Sequence, residues 1–548
     1  MDKLLKLDFN ERSDQNNPLT RDLSFGDSLW QYPIREPLEK MIAEKNGFLP
    51  NQVLCTNGGD EAIMILMRII NEGTKLILPL PAFSQYTWGI NSWNLDALLV
   101  QANDNLSIDI DGIRQAIKSN NQSVTVLTRP NNPTGESIAF DDLVELVKTS
   151  RDNNGWVFLD EAYIEFSEEP STAERLLNQF DNLVILKTFS KAYGLAGIRL
   201  GYLLGSKLLI EKFKTRCMPY NLSAPSIQIA KQALDKNNQF EMKSYCEQIK
   251  KNRKEMFDWF TSSGINVFPS QANFLFIKLP ANQAKAVKSY LTKNSIAIRS
   301  FDEDGLTNCL RITIPFNMDF LLPRLKQCLR PLLICLDMDG VLIDTSGSYD
   351  QCVLATVKQL SGKAISLESV ESLRRQGSFN NDWVLSKRLL EDLGFNFDLD
   401  EVTQVFQLIY LGKNNDGLVI NEKSMISSKL VCQIKQSNDT QFAVVTGRPR
   451  KEACSGQALV DLSELELISL DDVKQGKPSP EGIQKLQQKY SNSSWMCGDN
   501  PDDMQAAVSS NSLAIGIGEN KIESLYQAGA DIVLKNINEL EKWLCPIK

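Results

Sequence analysis

The 548-residue sequence contains no histidine at all. Histidine is the side chain whose unperturbed pKa lies nearest to neutral pH. Its absence excludes Ser-His-Asp and Cys-His catalysis, zinc sites with imidazole ligands and histidine-ligated haem. Any catalysis must therefore use lysine, carboxylates, tyrosine, arginine, a hard metal ion or an organic cofactor.

The sequence also lacks paired cysteine motifs, long apolar runs and an excess of positive charge. Its eleven cysteines are scattered without a CxxC pair, which predicts reduced thiols in a cytosol. No apolar stretch is long enough to cross a bilayer, and the opening MDKLLKLDFNERSD resembles neither a signal peptide nor a transit peptide. The formal net charge of −9 disfavours broad binding to nucleic acid or to a membrane. We therefore expect a cytoplasmic protein that holds any anionic substrate with local arginines and lysines.

Short β-rich runs alternate with amphipathic stretches through the first half of the chain. Four of these runs predict strands, at residues 75–81, 123–130, 155–163 and 183–190. Such alternation predicts α/β layers around a largely parallel sheet, with ligands at the carboxyl ends of the strands. A charged stretch at 241–260 predicts a long surface helix that leads into a smaller α/β lobe.

A second α/β region begins close to Arg330. The helical pattern NMDFLLPRLKQCL is followed by a proline and the apolar strand LLICL, without a Gly/Ser linker. We predict one unit at 1–330 and another at 331–548, docked closely. Residues 346–440 are helix-rich and predict a helical cap, after which strand-helix alternation resumes at FAVVTGRPR.

In a chain without histidine, Lys191 is the leading candidate nucleophile. It follows a predicted strand in FSKAYGLAGIRLGY, where a lysine can form a Schiff base with an aldehyde cofactor. The hydroxyls of Thr188 and Ser190 and the guanidinium of Arg199 suit a phosphate. Asp160 in FLDEAY can pair with the pyridinium nitrogen of pyridoxal phosphate (PLP), which keeps the ring protonated as an electron sink.

Residues at other strand ends complete the predicted cofactor site. Tyr163 and Asn132 can reach the phenolic oxygen of the ring, and Phe83 can stack on its face. The motif TNGGDEAI opens a helix, with Gly59 and Asp60 in its first turn. The free backbone N–H groups of that turn would cradle the cofactor phosphate.

These motifs resemble those of fold-type I PLP-dependent aminotransferases over residues 4–325, and most closely those of histidinol-phosphate aminotransferases. The shared motifs are LDFNE, QYP, TNGGDEAI, PNNPTG, LDEAYIEF, TFSKAYGLAGIRLGY and CLRITI. The resemblance implies a large α/β domain with a small α/β lobe, and transamination between histidinol phosphate or imidazole-acetol phosphate and glutamate or 2-oxoglutarate. It makes Lys191 the Schiff-base lysine and proton shuttle. It also implies a homodimer in which Tyr32 of QYP reaches the cofactor phosphate of the other subunit.

The same resemblance assigns two arginines to the substrate. Arg311 in CLRITI matches the arginine that reads the substrate's anionic group, and Arg299 in AIRSF matches an auxiliary phosphate-binding arginine. An ordinary surface charge is the alternative interpretation of Arg299. A planar guanidinium serves both carboxylate and phosphate.

Two features depart from the aminotransferase pattern. The sequence begins late, without the aromatic N-terminal arm that helps to close the phosphate pocket, and Phe83 stands where tyrosine is common. Threonine-phosphate decarboxylases share the fold and most of the motifs. A lyase acting on a phosphorylated amino acid, or an aminotransferase for another amino acid, is therefore the alternative.

In the second unit, LLICLDMDGVLIDT places Asp337 and Asp339 at the end of an apolar strand. An acidic turn is one alternative, and a calcium loop is excluded because the EF-hand spacing is missing. Two carboxylates at one strand end can attack phosphorus and handle a proton, with Mg²⁺ between them and the phosphate. Later motifs that fit this chemistry supply Thr446 in FAVVTGRP, Lys477 in QGKPSP, and Asp499 and Asp503 in MCGDNPDDMQAA.

In this order the motifs resemble the haloacid dehalogenase superfamily, subfamily I, over residues 332–545. The resemblance implies a Rossmann-like domain in which Asp337 is the phosphorylated nucleophile and Asp339 is the general acid and base. Thr446 and Lys477 would hold the phosphoryl group. The residues assigned to Mg²⁺ are Asp337, Asp339 through its backbone carbonyl, Asp499 and Asp503. The segment 374–383 is either a specificity loop of the cap or an ordinary connection between helices.

Both units are thus predicted to act on small phosphorylated molecules. In histidine biosynthesis, imidazole-acetol phosphate is transaminated to histidinol phosphate, which is then dephosphorylated to histidinol. Our hypothesis is a bifunctional enzyme for these consecutive steps. The phosphatase substrate rests on the fusion alone, so the alternatives are a phosphatase of unrelated specificity and a docking module, and the intact catalytic motifs disfavour the latter. The lack of histidine would suit an enzyme that must be made during histidine starvation.

Overall fold

The computed structural model divides the chain into two compact units. It describes residues 4–14, 29, 31–169, 173–375, 381–413 and 416–544. The first unit comprises Met1–Lys278 and Ser295–Asp319, and the second comprises Leu279–Asn294 and Phe320–Lys548. Among the residues described, no helix is long and apolar enough to span a membrane.

Residues 4–330 contain twelve described strands and eleven described α-helices. The strands are β1 (Leu5–Leu7), β2 (Val53–Thr56), β3 (Leu76–Pro79), β4 (Ala97–Val100), β5 (Val124–Thr128), β6 (Trp156–Asp160), β7 (Leu183–Thr188), β8 (Gly201–Gly205), β9 (Asn266–Phe268), β10 (Phe274–Lys278), β11 (Ile296–Ser300) and β12 (Cys309–Thr313). The helices are α1 (Glu36–Asn46), α2 (Gly58–Ile70), α3 (Ser84–Trp93), α4 (Ile110–Ser119), α5 (Phe140–Asp152), α6 (Ala173–Leu176), α7 (Lys207–Lys214), α8 (Ala224–Ala233), α9 (Lys236–Ser262), α10 (Gln283–Lys293) and α11 (Leu321–Leu329).

A seven-stranded sheet in the order β2-β8-β7-β6-β5-β3-β4 is the centre of the first unit. Its strands are parallel except β8, which is antiparallel to both of its neighbours. The strands β5, β6 and β7 are almost entirely buried, as expected of parallel strands covered on both faces. The four strands predicted from the sequence are confirmed. Because β5, β6 and β7 are neighbours, the polar segments that follow them lie at one edge of the sheet.

A second sheet in the first unit has the order β1-β11-β12-β10-β9. Its strands β10 and β11 are antiparallel to β12, and β1 is parallel to β11. The predicted long helix is confirmed as α9, which contacts β9 and β10. This sheet brings the segment after β1 beside β12 and so positions the N-terminal motif LDFNE near Arg311.

Residues 331–544 form a Rossmann-like core with a helical cap. The strands are β13 (Leu333–Leu336), β14 (Ile343–Asp344), β15 (Lys423–Ser424), β16 (Gln441–Val445), β17 (Glu466–Ile468), β18 (Ser494–Gly498), β19 (Leu513–Ile517) and β20 (Ile532–Leu534). The helices are α12 (Tyr349–Ser361), α13 (Leu367–Arg375), α14 (Asp382–Asp392), α15 (Leu399–Leu411), α16 (Ser428–Lys435), α17 (Arg450–Leu459), α18 (Glu481–Lys489), α19 (Pro501–Ser509), α20 (Ile522–Gln527) and α21 (Glu541–Leu544).

The core sheet is parallel, in the order β17-β16-β13-β18-β19-β20. Helices α12 to α15 pack around an apolar cluster of their own, which includes Leu385, Val402 and Phe406. The short pair β14 and β15 joins this cap to the core at both of its chain crossings. Helix α16 lies inside the range 346–440 that was predicted for the cap. It contributes no residue to the apolar cluster of the cap and contacts α21 instead.

Helices α10 and α11 belong to the second compact unit, although α10 lies between strands of the first. The hydroxyl of Ser289 on α10 donates to Asp531 Oδ1 at 2.9 Å. Gln327 on α11 donates to the carbonyl of Asn511 at 2.6 Å and accepts from Trp495 Nε1 at 2.8 Å. The second compact unit therefore includes residues that precede the boundary predicted between residues 330 and 331.

Candidate active sites

The first candidate site lies at the carboxyl ends of three neighbouring parallel strands. Asp160 is the last residue of β6, Thr188 is the last residue of β7, and Asn132 follows β5 by four positions. Lys191 follows β7 by three positions. The structure thus brings together four residues that the sequence predicted for a PLP site.

Asp160 is a buried carboxylate held by two donors. Its Oδ2 accepts from the hydroxyl of Tyr86 at 2.9 Å, and its Oδ1 accepts from the backbone N–H of Ala162 at 3.0 Å. Burial raises the pKa of Asp160 to about 6, while the Tyr86 hydroxyl, the Ala162 N–H and the charge of Lys191 oppose the rise. A buried carboxylate with an elevated pKa fits the pyridinium N–H of PLP, because that cation would compensate the buried charge.

Two residues of this site were missed by the sequence analysis. Tyr86 is fully buried on α3, three positions after Phe83, and the motif FSQY gave no sign that it would reach Asp160. Asn10 donates to the hydroxyl oxygen of Tyr163 at 3.0 Å, beside a longer bond of 3.5 Å from Asn132. Its place in the motif LDFNE was the available signal.

Lys191 points at the same group of residues. Its Nζ donates to the carbonyl of Phe9 at 2.8 Å and lies 5.5 Å from the centre of the Tyr163 ring. Tyr163 is buried, and its hydroxyl oxygen accepts from Asn10 and Asn132. The arrangement places an amine and a phenol close together at one strand edge, as a PLP site requires.

The predicted phosphate cradle is formed at the start of α2. Gly58 has a φ of 72°, and a Cβ at this position would lie 2.7 Å from Arg199 Nη2. Arg199 forms an ion pair with Asp60 at 2.6 Å. The first-turn N–H groups of α2, including that of Gly59, have no intrahelical partner by their position. A helix start with a close guanidinium fits the phosphate of PLP.

The other residues predicted to bind the cofactor are Thr188, Ser190, Phe83 and Tyr32. Thr188 donates to Ser190 Oγ at 3.0 Å and accepts from the Ser190 N–H at 3.0 Å. Phe83 is half-buried, with its ring nearly perpendicular to that of Tyr86 at a centroid distance of 6.4 Å. Tyr32 is 78% exposed, with its ring 4.7 Å from that of Tyr220. Its role toward a partner subunit stays a prediction.

Two arginines lie opposite each other on neighbouring strands, since Arg299 of β11 pairs in register with Arg311 of β12. Arg311 is 7% exposed and donates to Asn132 Oδ1 and to the carbonyl of Asp8. Its buried Nε has no hydrogen-bond partner among the residues that the structure describes, and burial, with Arg299 adding to it, lowers the pKa of Arg311. Like charges directly opposite each other are unfavourable. An anionic substrate group would relieve both the charge and the unused donor.

We expect Asp160→Asn to stabilise the cofactor-free protein at neutral pH and to weaken PLP binding. The pKa of Asp160 is about 6 in the folded chain, above its ordinary value of 3.8. Stability from a carboxyl with a raised pKa is complete below about pH 4 and is lost as the pH rises through about 6. The melting temperature of the apo variant should exceed that of the parent at pH 8 but not at pH 4.5. PLP affinity should fall by about 10- to 100-fold, the scale of a lost charged hydrogen bond. An equal difference in melting temperature at both pH values would contradict this account.

The second candidate site lies at the carboxyl ends of three neighbouring strands of the parallel core. Asp337 follows β13, Thr446 follows β16 and Asp499 follows β18. Asp337, Asp499 and Asp503 each offer an oxygen within 4.8 Å of the others. A Cβ at Gly340 would lie 2.2 Å from Asp499 Oδ2, so glycine is required for this approach. Three converging carboxylates fit a hard divalent cation such as Mg²⁺.

Lys477 lies within this group of carboxylates. Its Nζ lies 2.7 Å from Asp337 Oδ1 and 2.5 Å from Asp503 Oδ1, and it donates to the carbonyl of Val445. Burial raises the pKa of Asp337 well above its ordinary value, and the charge of Asp503 raises it further. Burial lowers the pKa of Lys477, but Asp337 and Asp503 outweigh it and leave the pKa raised. The ammonium groups of Lys477 and Lys521 supply two positive charges against the three carboxylates of Asp337, Asp499 and Asp503, and a metal ion would add the missing positive charge.

Asp339 and Thr446 lie beside the three carboxylates rather than among them. The carboxylate of Asp339 accepts from Arg448, and Thr446 Oγ1 accepts from the Arg448 N–H at 3.2 Å. A metal role of Asp339 would thus use its backbone carbonyl, as the resemblance implied. Lys521, which the sequence analysis missed, lies 2.5 Å from Asp499 Oδ2. It is the last residue of a short 3-10 helix (Glu519–Lys521) after β19, where no motif marked it.

A cavity of about 230 Å³ lies over the second site. From the cap it is lined by Asp350, Arg374 and Trp383, and Arg374 forms ion pairs with Asp350 and Asp382 at 2.9 and 2.5 Å. The predicted specificity loop at 374–383 is thus partly placed at this cavity, while residues 376–380 lie outside the described part of the chain.

Comparison with protein-family models assigns both parts of the chain. Residues 28–320, more than half of the sequence, match the model described as aminotransferase class I and II. The chain belongs to this aminotransferase family. Residues 332–511 match the haloacid dehalogenase-like hydrolase model, so the C-terminal part is a hydrolase domain of that type. The predicted family, fold class and enzyme classes are confirmed, and PLP is the cofactor of the aminotransferase family.

Relatives of this aminotransferase agree with the first assignment. The histidinol-phosphate aminotransferase of Buchnera aphidicola subsp. Cinara cedri is 34% identical over 294 residues, which are 52% of this chain and 82% of that protein. The structure of histidinol-phosphate aminotransferase from Sinorhizobium meliloti in complex with pyridoxal-5'-phosphate is 25% identical, with a TM-score of 0.54, and covers 60% of this chain and 91% of its own. L-threonine-O-3-phosphate decarboxylase from Porphyromonas gingivalis is 24% identical, with a TM-score of 0.50, and covers 57% and 94%. This last likeness shows the fold alone.

Proposed function

We propose that the chain is a bifunctional enzyme that transaminates between imidazole-acetol phosphate and histidinol phosphate with glutamate, and then hydrolyses histidinol phosphate to histidinol with Mg²⁺. The observation that carries the proposal is that one chain contains two sites. One is an aminotransferase site whose arginines can bind an anionic substrate, and the other is a phosphatase site rich in carboxylates. Arg311 with its unused Nε supports the first, and the carboxylates around Lys477 support the second.

In the first site, PLP supplies an electron sink when it is bound. Asp160 holds the ring nitrogen in its protonated form, and Tyr163 donates to the phenolic oxygen. Lys191 Nζ moves a proton to and from the substrate carbon. Arg311 and Arg299 orient the phosphate of one substrate and the distal carboxylate of glutamate, because one planar donor set suits both anions.

In the second site, Mg²⁺ held by Asp337, Asp499 and Asp503 supplies charge neutralisation on the phosphoryl oxygens. An oxygen of Asp337 attacks phosphorus, and Lys477 faces the oxygens that gain negative charge. Asp339 protonates the departing ester oxygen and then removes a proton from the attacking water. None of these steps needs an imidazole, which agrees with the composition of the chain.

We also propose a cytoplasmic homodimer formed through the aminotransferase part. The exposed ring of Tyr32 supports it, because a tyrosine that is exposed in its own subunit can serve a partner. If two inactive variants, Tyr32→Ala and Lys191→Ala, are mixed after subunit exchange, activity should reappear. No recovery in a proven mixed dimer would contradict the shared site.

The transaminase and lyase hypotheses predict different products from two substrates. With PLP, histidinol phosphate and 2-oxoglutarate, we expect glutamate to form, since the two opposed arginines accept either anion. With threonine phosphate, we expect no release of CO₂ above the rate of a Lys191→Ala control. CO₂ release from threonine phosphate without glutamate formation from histidinol phosphate would contradict the proposal and favour the lyase. Mass spectrometry of both reactions separates these outcomes.

A further inference from the structure

A buried guanidinium, that of Arg448, joins the carboxylate of Asp339 in the phosphatase site to that of Glu422, which follows the cap helices. Arg448 is 3% exposed. Its Nε and Nη2 donate to Asp339 Oδ1 at 2.9 and 2.6 Å. Its Nη1 and Nη2 donate to Glu422 Oε2 and Oε1 at 3.1 and 2.9 Å. One guanidinium is thus shared between two carboxylates.

Glu422 is fixed in turn by a group on one cap helix and by the residue that precedes another. Its Oε1 accepts from Tyr410 OH on α15 at 2.9 Å and from Ser348 Oγ before α12 at 3.1 Å. The guanidinium of Arg448 lies 4.9 Å from the centre of the Tyr349 ring. Arg448 and Glu422 are therefore held on several sides in a buried network, which is costly to rearrange.

The bonds to Asp339 are directional. Both go to Oδ1 from adjacent N–H groups of one planar fork, so they fix the position of that oxygen and oppose rotation of the carboxylate. Asp339 itself is about one-third exposed toward the cavity, so nothing else described around it restrains its rotation as strongly. General acid catalysis requires the donor to lie within hydrogen-bond reach of the atom that takes the proton.

We propose that Arg448 is the positioning residue for proton transfer in the phosphatase site, and that Glu422 anchors it; the proposal rests on the proposed phosphatase function. By holding Oδ1, Arg448 presents Oδ2 of Asp339 to the ester oxygen. The Asp337–phosphorus bond forms, the ester P–O bond breaks, and the proton of Asp339 passes to the departing alkoxide. In the second step water oxygen bonds to phosphorus, the Asp337–phosphorus bond breaks, and the proton of water returns to Asp339.

The test compares two phosphate esters that differ in their need for a proton. An alkyl ester such as histidinol phosphate has a leaving group that must be protonated, whereas p-nitrophenyl phosphate releases a stabilised phenolate. For Arg448→Met, we expect kcat/KM for the alkyl ester to fall by about 100-fold, within the range of lost general acid catalysis. With p-nitrophenyl phosphate, kcat/KM should change by less than threefold. The ratio kcat/KM reports the steps up to departure of the leaving group, and the phenolate departs without being protonated.

Matched variants separate positioning from simple loss of structure. Arg450→Met alters a half-exposed arginine of the same TGRPR motif, which pairs with Asp472, and should leave both esters unaffected. Asp339→Asn should reproduce the ester selectivity of Arg448→Met with a larger effect. The double variant Arg448→Met and Glu422→Gln avoids leaving the Glu422 charge buried and unpaired, and should show the same selectivity. Arg448→Lys, which retains the charge without the fork, should fall between the parent and Arg448→Met.

The outcomes are distinguishable. An equal fall in kcat/KM for both esters in the single and double variants would mean a structural role and overturn the proposal. Unchanged values for both esters would overturn it as well. If the unmodified protein with Mg²⁺ hydrolyses neither ester, the proposed phosphatase function itself fails.

Discussion

Lys191→Ala is expected to lower the aminotransferase rate by about four orders of magnitude, the upper range for a lost proton-transfer group, and to leave phosphate ester hydrolysis unchanged. The Lys191 Nζ lies beside Tyr163 and at the strand edge that carries Asp160, and no imidazole can replace it. Rates of glutamate formation from histidinol phosphate and 2-oxoglutarate measure the first effect. Phosphate release from p-nitrophenyl phosphate measures the second.

A matched control for this variant is Lys207→Ala, which removes an exposed lysine at the start of α7. It should retain both activities. A Lys191→Ala protein that keeps more than about one-hundredth of the parent aminotransferase rate would contradict the assigned role, because proton transfer by a positioned side chain contributes at least about that factor.

Asp337→Asn is expected to abolish phosphatase activity, with a fall of about 10⁵- to 10⁶-fold, the scale of losing a covalent nucleophile. An amide of similar size can still accept from Lys477, so the fold of the site should persist, but it cannot attack phosphorus. Phosphate release from histidinol phosphate is the measurement. Aminotransferase activity of the same preparation reports that the rest of the chain is folded.

The control for this variant is Asp461→Asn, because Asp461 is exposed, pairs at the surface with Lys435, and has a φ of 57° that asparagine tolerates. It should retain both activities. Loss of both activities in either Lys191→Ala or Asp337→Asn would contradict two independent sites.

Motifs that follow buried strands were predictable because chain order fixes where parallel strands end. Asp160 and Lys191 met at one edge since β6 and β7 are neighbours, and Asp337 and Asp499 met since β13 and β18 are neighbours. The chemistry of each side chain then limited its use. Strand order itself followed from the family resemblance rather than from spacing.

Residues that support those groups from distant segments could not be predicted in the same way. Tyr86 reaches Asp160 across 74 positions, and Arg448 reaches Asp339 across 109. Such bonds depend on how distant segments pack against each other, and a sequence motif of a few residues does not determine that packing. The assignment of α10 to the second compact unit is similar, since it depends on contacts such as that of Ser289 with Asp531.

The central claim is that one chain performs two consecutive steps, and a single incubation tests it most directly. The protein is supplied with imidazole-acetol phosphate, glutamate, PLP and Mg²⁺, and products are followed by mass spectrometry and phosphate release. The account predicts histidinol, inorganic phosphate and 2-oxoglutarate in equal amounts, with histidinol phosphate accumulating only in the Asp337→Asn variant. Accumulation of histidinol phosphate by the unmodified protein, with no free phosphate, would contradict the claim.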